Sequence, residues 1–263
     1  MLAGPAPRSV LGDGSVYALT VADHGEQEEH YRAFVGPAEQ YDLIGAGQFA
    51  LLYSLGLRDH HRLLDIGCGS LRAGRMLISY LRPGGYTGVE PNRWLIDDAV
   101  DRELGRDILA VKQPTFDKTD DFSLEHLGRF DFVLAQGVAT NTGPSLLRPL
   151  LGAIAQTLAP AGIAAATFIH PGTGDDSALQ VQINDHKAPA WRYPGCYSYT
   201  RSAIAEAITA SGLRAQPIGW YHPRHQWWLM SRDVNGLPPP AFLATLLGTT
   251  IAKGCEASWR STS

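Results

Sequence analysis

The sequence predicts an α/β fold: a doubly wound, mostly parallel sheet of seven strands that is closed by an antiparallel β-hairpin. From residue 62 onward, short apolar runs alternate with helical patterns, which is typical of parallel βαβ units. Only Pro223-Arg224-His225 separates the last two predicted strands, 215–222 and 226–232. A parallel crossover needs a dozen or more residues, so these strands must form a hairpin.

Three regions are expected along the chain of 263 residues. Residues 1–60 begin with a Gly/Pro-containing stretch and continue with helical patterns at 25–35 and 40–56, the second ending at Gly56, which predicts an N-terminal helical cap. Residues 61–235 are predicted to form the core, and residues 236–263 a C-terminal helix and tail.

The core elements are predicted from apolar runs and their breakers. Pro83-Gly84-Gly85 ends the first core helix and Gly212 ends the last one. Five strands precede the hairpin, at 62–67, 86–90, 107–112, 130–136 and 162–169, and helices are expected at 74–81, 94–103, 144–158 and 202–211.

A long insertion, residues 171–200, follows the fifth predicted strand. Loops of this length in compact domains are usually functional or disordered. Its aromatic side chains, among them Trp191, Tyr193, Tyr197 and Tyr199, favour an ordered segment. We therefore predict a lid over a ligand site.

Composition excludes several functional classes. The net charge of −4 offers no large positive field for nucleic acid or an anionic membrane. No apolar run approaches the length of about 20 residues that a membrane span needs. Cys68, Cys196 and Cys255 are scattered, which argues against disulfides and structural zinc. With no basic start and apolar run at the N-terminus, the expected location is cytoplasmic. No metal site is predicted.

The most informative stretch is LLDIGCGSLRAG at residues 63–74, a buried strand that runs into a glycine-rich turn and a helix. A dinucleotide-binding turn would need a third glycine where Arg72 stands. A phosphate-binding loop would need Lys and a hydroxyl residue where Arg75 and Met76 stand. Both phosphate hypotheses therefore fail at a residue that their chemistry requires.

The stretch from Leu63 to Ser70, with an acid two residues before the first glycine, resembles motif I of the class I S-adenosylmethionine-dependent methyltransferases. The resemblance covers roughly residues 62–232. It implies that Gly67, Cys68 and Gly69 lie against the amino-acid part of the cofactor, and that Asp65 receives its ammonium group. Arg72 departs from the family pattern and could pair with the cofactor carboxylate.

Further cofactor contacts are expected at the following strand ends. Glu90 follows Gly69 by about 20 residues, the spacing at which an acid binds ribose hydroxyls. The resemblance implies that an acid and the hydrophobe after it bind the adenine edge. Asp121 and Phe122 fit this best, with Asp120 as the competitor. Two more cofactor contacts are expected, at Pro91 and Gln136.

The acceptor side is less defined by the sequence. The loop after the fourth strand, QGVATN at 136–141, lacks the Asn/Asp-Pro-Pro-Tyr motif of amide and nucleobase methyltransferases and the aspartate of magnesium-dependent catechol enzymes. We expect a small-molecule acceptor, apolar or aromatic in part, methylated on oxygen or nitrogen. His170, His222 and His225 are the candidate catalytic residues, since an imidazole could deprotonate the attacking group.

Two alternatives stay open at this stage. One is an NAD(P)-dependent oxidoreductase on a similar sheet, against which the closing hairpin and Arg72 both count. The other is a protein that binds S-adenosylmethionine without transferring its methyl group. The sequence also leaves a homodimer open.

Overall fold

A computed structural model describes residues 31–170, 180–182 and 196–246. The predictions for the N-terminal stretch 1–30, the lid residues 171–179 and 183–195, and the tail 247–263 lie outside the described residues. Within the described part, no helix is both long and apolar enough to span a membrane.

The core is a seven-stranded sheet of order β3-β2-β1-β4-β5-β9-β8. Strands β1 to β5 are mutually parallel, β9 is antiparallel to β5, and β8 is antiparallel to β9. The predicted fold class, including the closing hairpin, is confirmed. The strands are β1 Leu63–Ile66, β2 Tyr86–Val89, β3 Thr115–Asp117, β4 Phe130–Ala135, β5 Leu158–Phe168, β8 Arg214–Ile218 and β9 Gln226–Ser231.

A second, two-stranded sheet lies within the predicted lid segment. It pairs β6 (Gln180–Gln182) with β7 (Cys196–Ser198) in antiparallel fashion. An isolated bridge between Ile169 and Ser198 attaches β7 next to the end of β5.

Helices cover both faces of the large sheet. The cap contributes α1 (Tyr31–Phe34) and α2 (Tyr41–Ser54), which confirms the helix predicted at 40–56. The core and the C-terminal region contribute α3 Gly74–Tyr80, α4 Arg93–Ala99, α5 Asp107–Lys112, α6 Val138–Thr142, α7 Pro144–Thr157, α8 Arg201–Ala210 and α9 Pro240–Thr245.

Strand alternation divides the core into two layers. Leu63, Trp227 and Leu229 pack with the cap helices, α3 and α4 on one face. The neighbouring positions, among them Trp228 and Met230, pack with α7 and α8 on the other face. Both tryptophans are buried, as the two-residue period of a strand predicts.

One element was predicted wrongly. Residues 107–112 form helix α5 instead of the third strand, and the strand follows at Thr115–Asp117. The apolar run has no clear alternation, so it did not distinguish helix from strand. Asp107 and Lys112 suit the two ends of a helix dipole, and Gln113 takes a left-handed conformation (φ 49°) that ends it.

Candidate functional site

A cavity lies at the carboxyl edge of the parallel strands, between the sheet, the cap and the tip of the closing hairpin. This is the edge at which open α/β sheets bind ligands. It brings together most of the residues predicted from the sequence: Asp65, Gly67, Cys68, Gly69, Arg72, Glu90, Pro91, Phe122, Gln136, His222 and His225. Asp121 and His170 do not line it.

The glycine turn packs too closely for side chains. Gly67 (φ +68°) and Gly69 (φ +53°) both take left-handed backbone conformations. A Cβ on Gly67 would lie 2.6 Å from Cγ2 of Val138, and one on Gly69 would lie 2.6 Å from Cγ1 of Val35. The turn is therefore held between α6 and the cap, with its backbone on the cavity wall.

Asp65 is buried at the end of β1. The hydroxyl of Tyr86 donates to its Oδ2 (2.8 Å). Burial raises the pKa of Asp65 to about 7, because desolvation outweighs this hydrogen bond and the attraction of Arg72. A cation in the cavity would restore the charged form of the carboxyl group.

Glu90 is fixed at the end of β2 by hydrogen bonds to both carboxylate oxygens. The backbone N–H of Gly69 donates to Oε2 (3.2 Å), and the backbone and side chain of Asn92 donate to Oε1 (2.9 and 2.8 Å). Glu90 is only 7% exposed, so its carboxylate is held at the cavity wall.

The loop after β3 presents Asp120 and Phe122 to the cavity. Phe122 takes a positive φ of 66°, which is uncommon for a large side chain. Asp121 instead accepts the backbone N–H of Ser123 (2.9 Å) and stabilises the loop. The structure thus brings Asp120, the competitor in the sequence analysis, to the cavity.

Arg72 is a buried cation on the cavity wall. Its Nη1 donates to the carbonyl of Val35 (3.0 Å), and its Nη2 donates to Oε1 of Gln136. Among the described residues, no carboxylate lies within ion-pair distance of Arg72, and its Nε has no hydrogen-bond partner. Burial lowers its pKa to about 10.

Of the three candidate histidines, two line the cavity and one does not. His170 lies off the cavity, with Nδ1 at 2.9 Å from the carbonyl oxygen of Tyr199 and Nε2 at 2.6 Å from Oε1 of Gln226. His222 and His225 line the cavity at the hairpin tip, and their rings stack at 4.2 Å between centroids.

Both cavity histidines are neutral at physiological pH. Burial, together with Arg72 and Arg224, lowers the pKa of His222 to about 4. The pKa of His225 is lowered well below its usual range, by burial first and then by His222, Arg224 and Arg72. Neither ring therefore serves as a positive charge in the site.

Several cavity residues were not predicted from the sequence, and Gln48 and Val35 are two of them. Gln48 of α2 donates from Nε2 to Oε1 of Gln136 (2.8 Å), and Val35 covers Gly69. A buried glutamine among apolar positions of a predicted helix was an available signal for Gln48. For Val35 no signal existed, because the contact depends on how the cap packs.

Charges divide the cavity into two halves. The acidic side chains that line it lie at one end of neighbouring strands: Asp65 belongs to β1, and Glu90 and Asp120 follow β2 and β3. The guanidinium groups, Arg72 and Arg224, lie near the hairpin tip, where both act on the histidines. Among the described residues, no cluster of three or more His, Cys, Asp or Glu side chains is arranged to hold a metal ion.

Residues 64–164 match the family described as "Methyltransferase domain". This range contains the glycine turn, Asp65, Arg72, Glu90 and Gln136. No curated protein matches the sequence.

Three solved structures with a similar fold contain S-adenosylmethionine or S-adenosylhomocysteine. The DhpI complex with S-adenosylhomocysteine is 14% identical, covers 86% of this chain and 95% of its own, and has a TM-score of 0.55. The glycopeptide N-methyltransferase MtfA with S-adenosylmethionine is 11% identical, covers 72% and 94%, and has a TM-score of 0.56. The Burkholderia thailandensis 1,6-didemethyltoxoflavin-N1-methyltransferase is 18% identical, covers 87% and 93%, and has a TM-score of 0.53.

Proposed function

The chain carries a class I, S-adenosylmethionine-dependent methyltransferase domain, and on this premise we propose that it moves a methyl group to an oxygen or nitrogen of a small-molecule acceptor. The observation that carries the proposal is a buried carboxyl group, Asp65, and a buried guanidinium group, Arg72, on either side of the glycine turn. A zwitterionic amino-acid group fits between such charges.

The residues present fit the cofactor. Burial disfavours the Arg72 cation and the ionised form of Asp65, so a ligand of opposite charge would stabilise both. The ammonium group would meet Asp65 and the carboxylate would meet Arg72. Since a Cβ on Gly67 or Gly69 would collide with Val138 or Val35, both glycines let the turn pack closely with its backbone on the cavity wall, where a ligand can reach it.

The other half of the cofactor would lie along the carboxylate side of the cavity. Glu90, already fixed by the N–H of Gly69 and by Asn92, has the acceptor oxygens that two vicinal ribose hydroxyls require. Asp120 and Phe122 flank the position that an adenine ring would take. We therefore assign the adenine-edge role to Asp120 in place of Asp121.

Catalysis in this site is assigned chiefly to positioning. When bound, the cofactor supplies an electrophilic methyl group on a sulfonium centre. The chain's own contribution is to hold the acceptor in line with that group and to exclude water, which can supply much of the rate. Val35 and Gln48 of the cap, together with the hairpin tip, close the cavity over the turn.

The experiment is a product search with labelled cofactor. Purified protein is incubated with a small-molecule extract and S-adenosylmethionine carrying a deuterated methyl group, and products are analysed by mass spectrometry. We expect one labelled small molecule and an equal amount of S-adenosylhomocysteine, both lost in the Asp65→Asn variant. Release of S-adenosylhomocysteine with label found only on a macromolecule would contradict the proposed acceptor class.

A further inference from the structure

The side chains of Gln136, His222 and His225 line the hairpin end of the cavity, and their hydrogen-bonding groups decide what that end can bind. Gln136 follows β4, and His222 and His225 flank the hairpin tip. The proton positions on these three side chains follow from their partners, because arginine and backbone N–H groups can only donate hydrogen bonds.

Gln136 has only one compatible amide orientation. Its Oε1 accepts from Arg72 Nη2 and from Gln48 Nε2. A flipped amide would place its NH2 group against the Arg72 guanidinium, donor against donor. The NH2 group of Gln136 therefore points the other way, toward His222, whose Nε2 lies 3.1 Å from it.

His222 is fixed as the tautomer that is protonated on Nε2. The backbone N–H groups of Arg224 (3.2 Å) and His225 (2.9 Å) both donate to its Nδ1. A proton on Nδ1 would face two donors, so the proton lies on Nε2. As a result, an N–H of Gln136 and the Nε2–H of His222 meet with no acceptor between them.

Thr167 determines the tautomer of His225, which is also protonated on Nε2. Oγ1 of Thr167 accepts the N–H of Gly137 (2.8 Å) and lies 3.0 Å from His225 Nδ1. Among the described residues, this Nδ1 is the one acceptor for the Thr167 hydroxyl proton, so Nδ1 accepts and Nε2 carries the hydrogen. We call the three groups Gln136 Nε2, His222 Nε2 and His225 Nε2 the donor wall.

Resting on the proposed function, we propose that the acceptor is an oxygen acid, such as a carboxylic acid or an acidic phenol or enol, that binds ionised with its oxygen on the donor wall. A negatively charged oxygen is the group that three N–H donors accommodate, and Arg72 and Arg224 add a positive potential behind it. An amine or ammonium acceptor would place donors against donors.

The chemistry balances without a base. The ionised oxygen forms a bond to the methyl carbon, the carbon–sulfur bond breaks, and its electron pair stays on sulfur as a neutral thioether. The product is a methyl ester or a methyl ether. Because the oxygen enters without its proton, neither histidine has to remove one, which agrees with their role as donors.

The test uses the whole chain saturated with S-adenosylhomocysteine, and three probes of similar size: benzoate, benzamide and benzylamine. Calorimetric titration should give benzoate an affinity at least about tenfold higher than that of either other probe. Equal affinity for benzamide, or no binding of benzoate, would overturn the proposal. Failure of the wild type to bind S-adenosylhomocysteine would instead overturn the proposed function on which it rests.

Gln136→Glu is the decisive variant, since it replaces a donor by an acceptor of the same shape and still offers oxygen to Arg72. Benzoate affinity should fall at least about tenfold, and by a clearly larger factor than S-adenosylhomocysteine affinity, which the new carboxylate lowers only by pairing with Arg72. Gln40→Glu, on the cap side of the same cavity, controls for added charge and should change benzoate affinity less than about threefold. An equal loss of both ligands in Gln136→Glu would assign the donor wall to the cofactor carboxylate and overturn the proposal.

A second readout needs no ligand. Long-range proton–nitrogen spectra of the protein labelled with nitrogen-15 histidine should show His222 and His225 neutral and protonated on Nε2 at pH 7. Protonation of either ring on Nδ1 alone would contradict the donor wall.

Discussion

At Asp65 a carboxyl group is buried beside a single hydrogen-bond donor, the Tyr86 hydroxyl. With a pKa of about 7, this carboxyl group is largely protonated below neutral pH in the free protein, whereas a bound ammonium group would favour the ionised form. Ligand binding should therefore release a proton from Asp65. Recognition of the ligand and stability of the free chain oppose each other at this residue.

The Asp65→Asn variant separates these two roles. The folded-state pKa of about 7 exceeds the ordinary aspartate value of 3.8, so the folded state holds the extra proton between those pH values and loses stability as pH rises through them. Asn keeps an acceptor for Tyr86 but does not titrate. We expect the free energy of unfolding at pH 8 to rise by about 1–4 kcal/mol, with at least a tenfold loss of S-adenosylhomocysteine affinity.

Urea denaturation of both proteins between pH 4 and pH 8 measures this effect as a difference, which cancels the titration of other groups. A stability difference that stays constant across this range would show that Asp65 is ionised in the free protein.

Gly69 tests the packing of the turn against the cap. In Gly69→Ala, the Cβ would collide with Val35, and the positive φ would be strained as well. We expect lower thermal stability and at least a tenfold weaker affinity for S-adenosylhomocysteine. Adding Val35→Ala should restore part of the stability, because it removes the colliding methyl groups but leaves the backbone strain.

Gly152→Ala is the matched control for Gly69→Ala. Gly152 lies within α7, and an added Cβ there meets nothing within 4 Å. This variant should be stabilised by about 0.5–1 kcal/mol through helix propensity alone. If Gly69→Ala were stabilised to a similar extent, the predicted collision of its Cβ with Val35 would be wrong.

Residues within one contiguous motif were predictable, and residues brought in by packing were not. Asp65, Gly67, Gly69 and Glu90 lie on the cavity because a parallel strand, a turn and the next strand place them there. Asp120 lines the cavity while Asp121 accepts a hydrogen bond from its own loop, a difference that no pattern of neighbouring residues indicates.

At the scale of elements, an ion-pair cluster fastens the cap to the core. Glu103 accepts hydrogen bonds from Tyr31 (2.7 Å), Arg32 Nε (2.7 Å) and Arg75 (3.1 Å). The ring of Tyr41 lies between the guanidinium groups of Arg32 and Arg75, at 4.6 and 5.0 Å from its centroid. This cluster, the cap latch, holds the segment that covers Gly69.

Glu103→Gln should loosen the cap latch, because it removes the charge that both arginines share. We expect faster amide hydrogen exchange in α1 and α2, equivalent to a loss of about 1–3 kcal/mol in protection, and weaker S-adenosylhomocysteine binding. Asp97→Asn breaks an exposed pair with Arg93 and should change protection by less than about 0.5 kcal/mol. Unchanged exchange in the cap of Glu103→Gln would show that apolar packing alone holds it.

Elements with a clear period or breaker were predicted well, and the third strand was not. Helix α2, helix α7 and the closing hairpin each combine an apolar pattern with a glycine or proline at an end. Residues 107–112 show no alternation of apolar and polar positions, and no glycine or proline stands directly at either end. Their apolar content therefore led to the wrong prediction of a strand. Strand β3 has three residues and lies at the sheet edge, too short for a pattern to reveal.

For the whole molecule, the sheet order places the end of β1 between the ends of β2 and β4, with the hairpin tip beyond β5. Acids therefore gather on the β1–β3 side of the cavity, and arginines and neutral imidazoles on the hairpin side. The cofactor is assigned to the acidic half together with Arg72, and the acceptor oxygen to the hairpin half. The antiparallel closure of the sheet was predicted from the sequence, but the division of charge required the three-dimensional structure.

The most direct test of this account is a calorimetric titration of the purified chain with S-adenosylhomocysteine, compared with NAD and repeated on Glu90→Ala. We expect micromolar-scale binding of S-adenosylhomocysteine, about −8 kcal/mol, weakened by about 1–3 kcal/mol in Glu90→Ala through lost hydrogen bonds to the ribose. NAD should bind far more weakly. Tighter binding of NAD, or equal S-adenosylhomocysteine affinity in a folded Glu90→Ala variant, would contradict the assignment of the cavity.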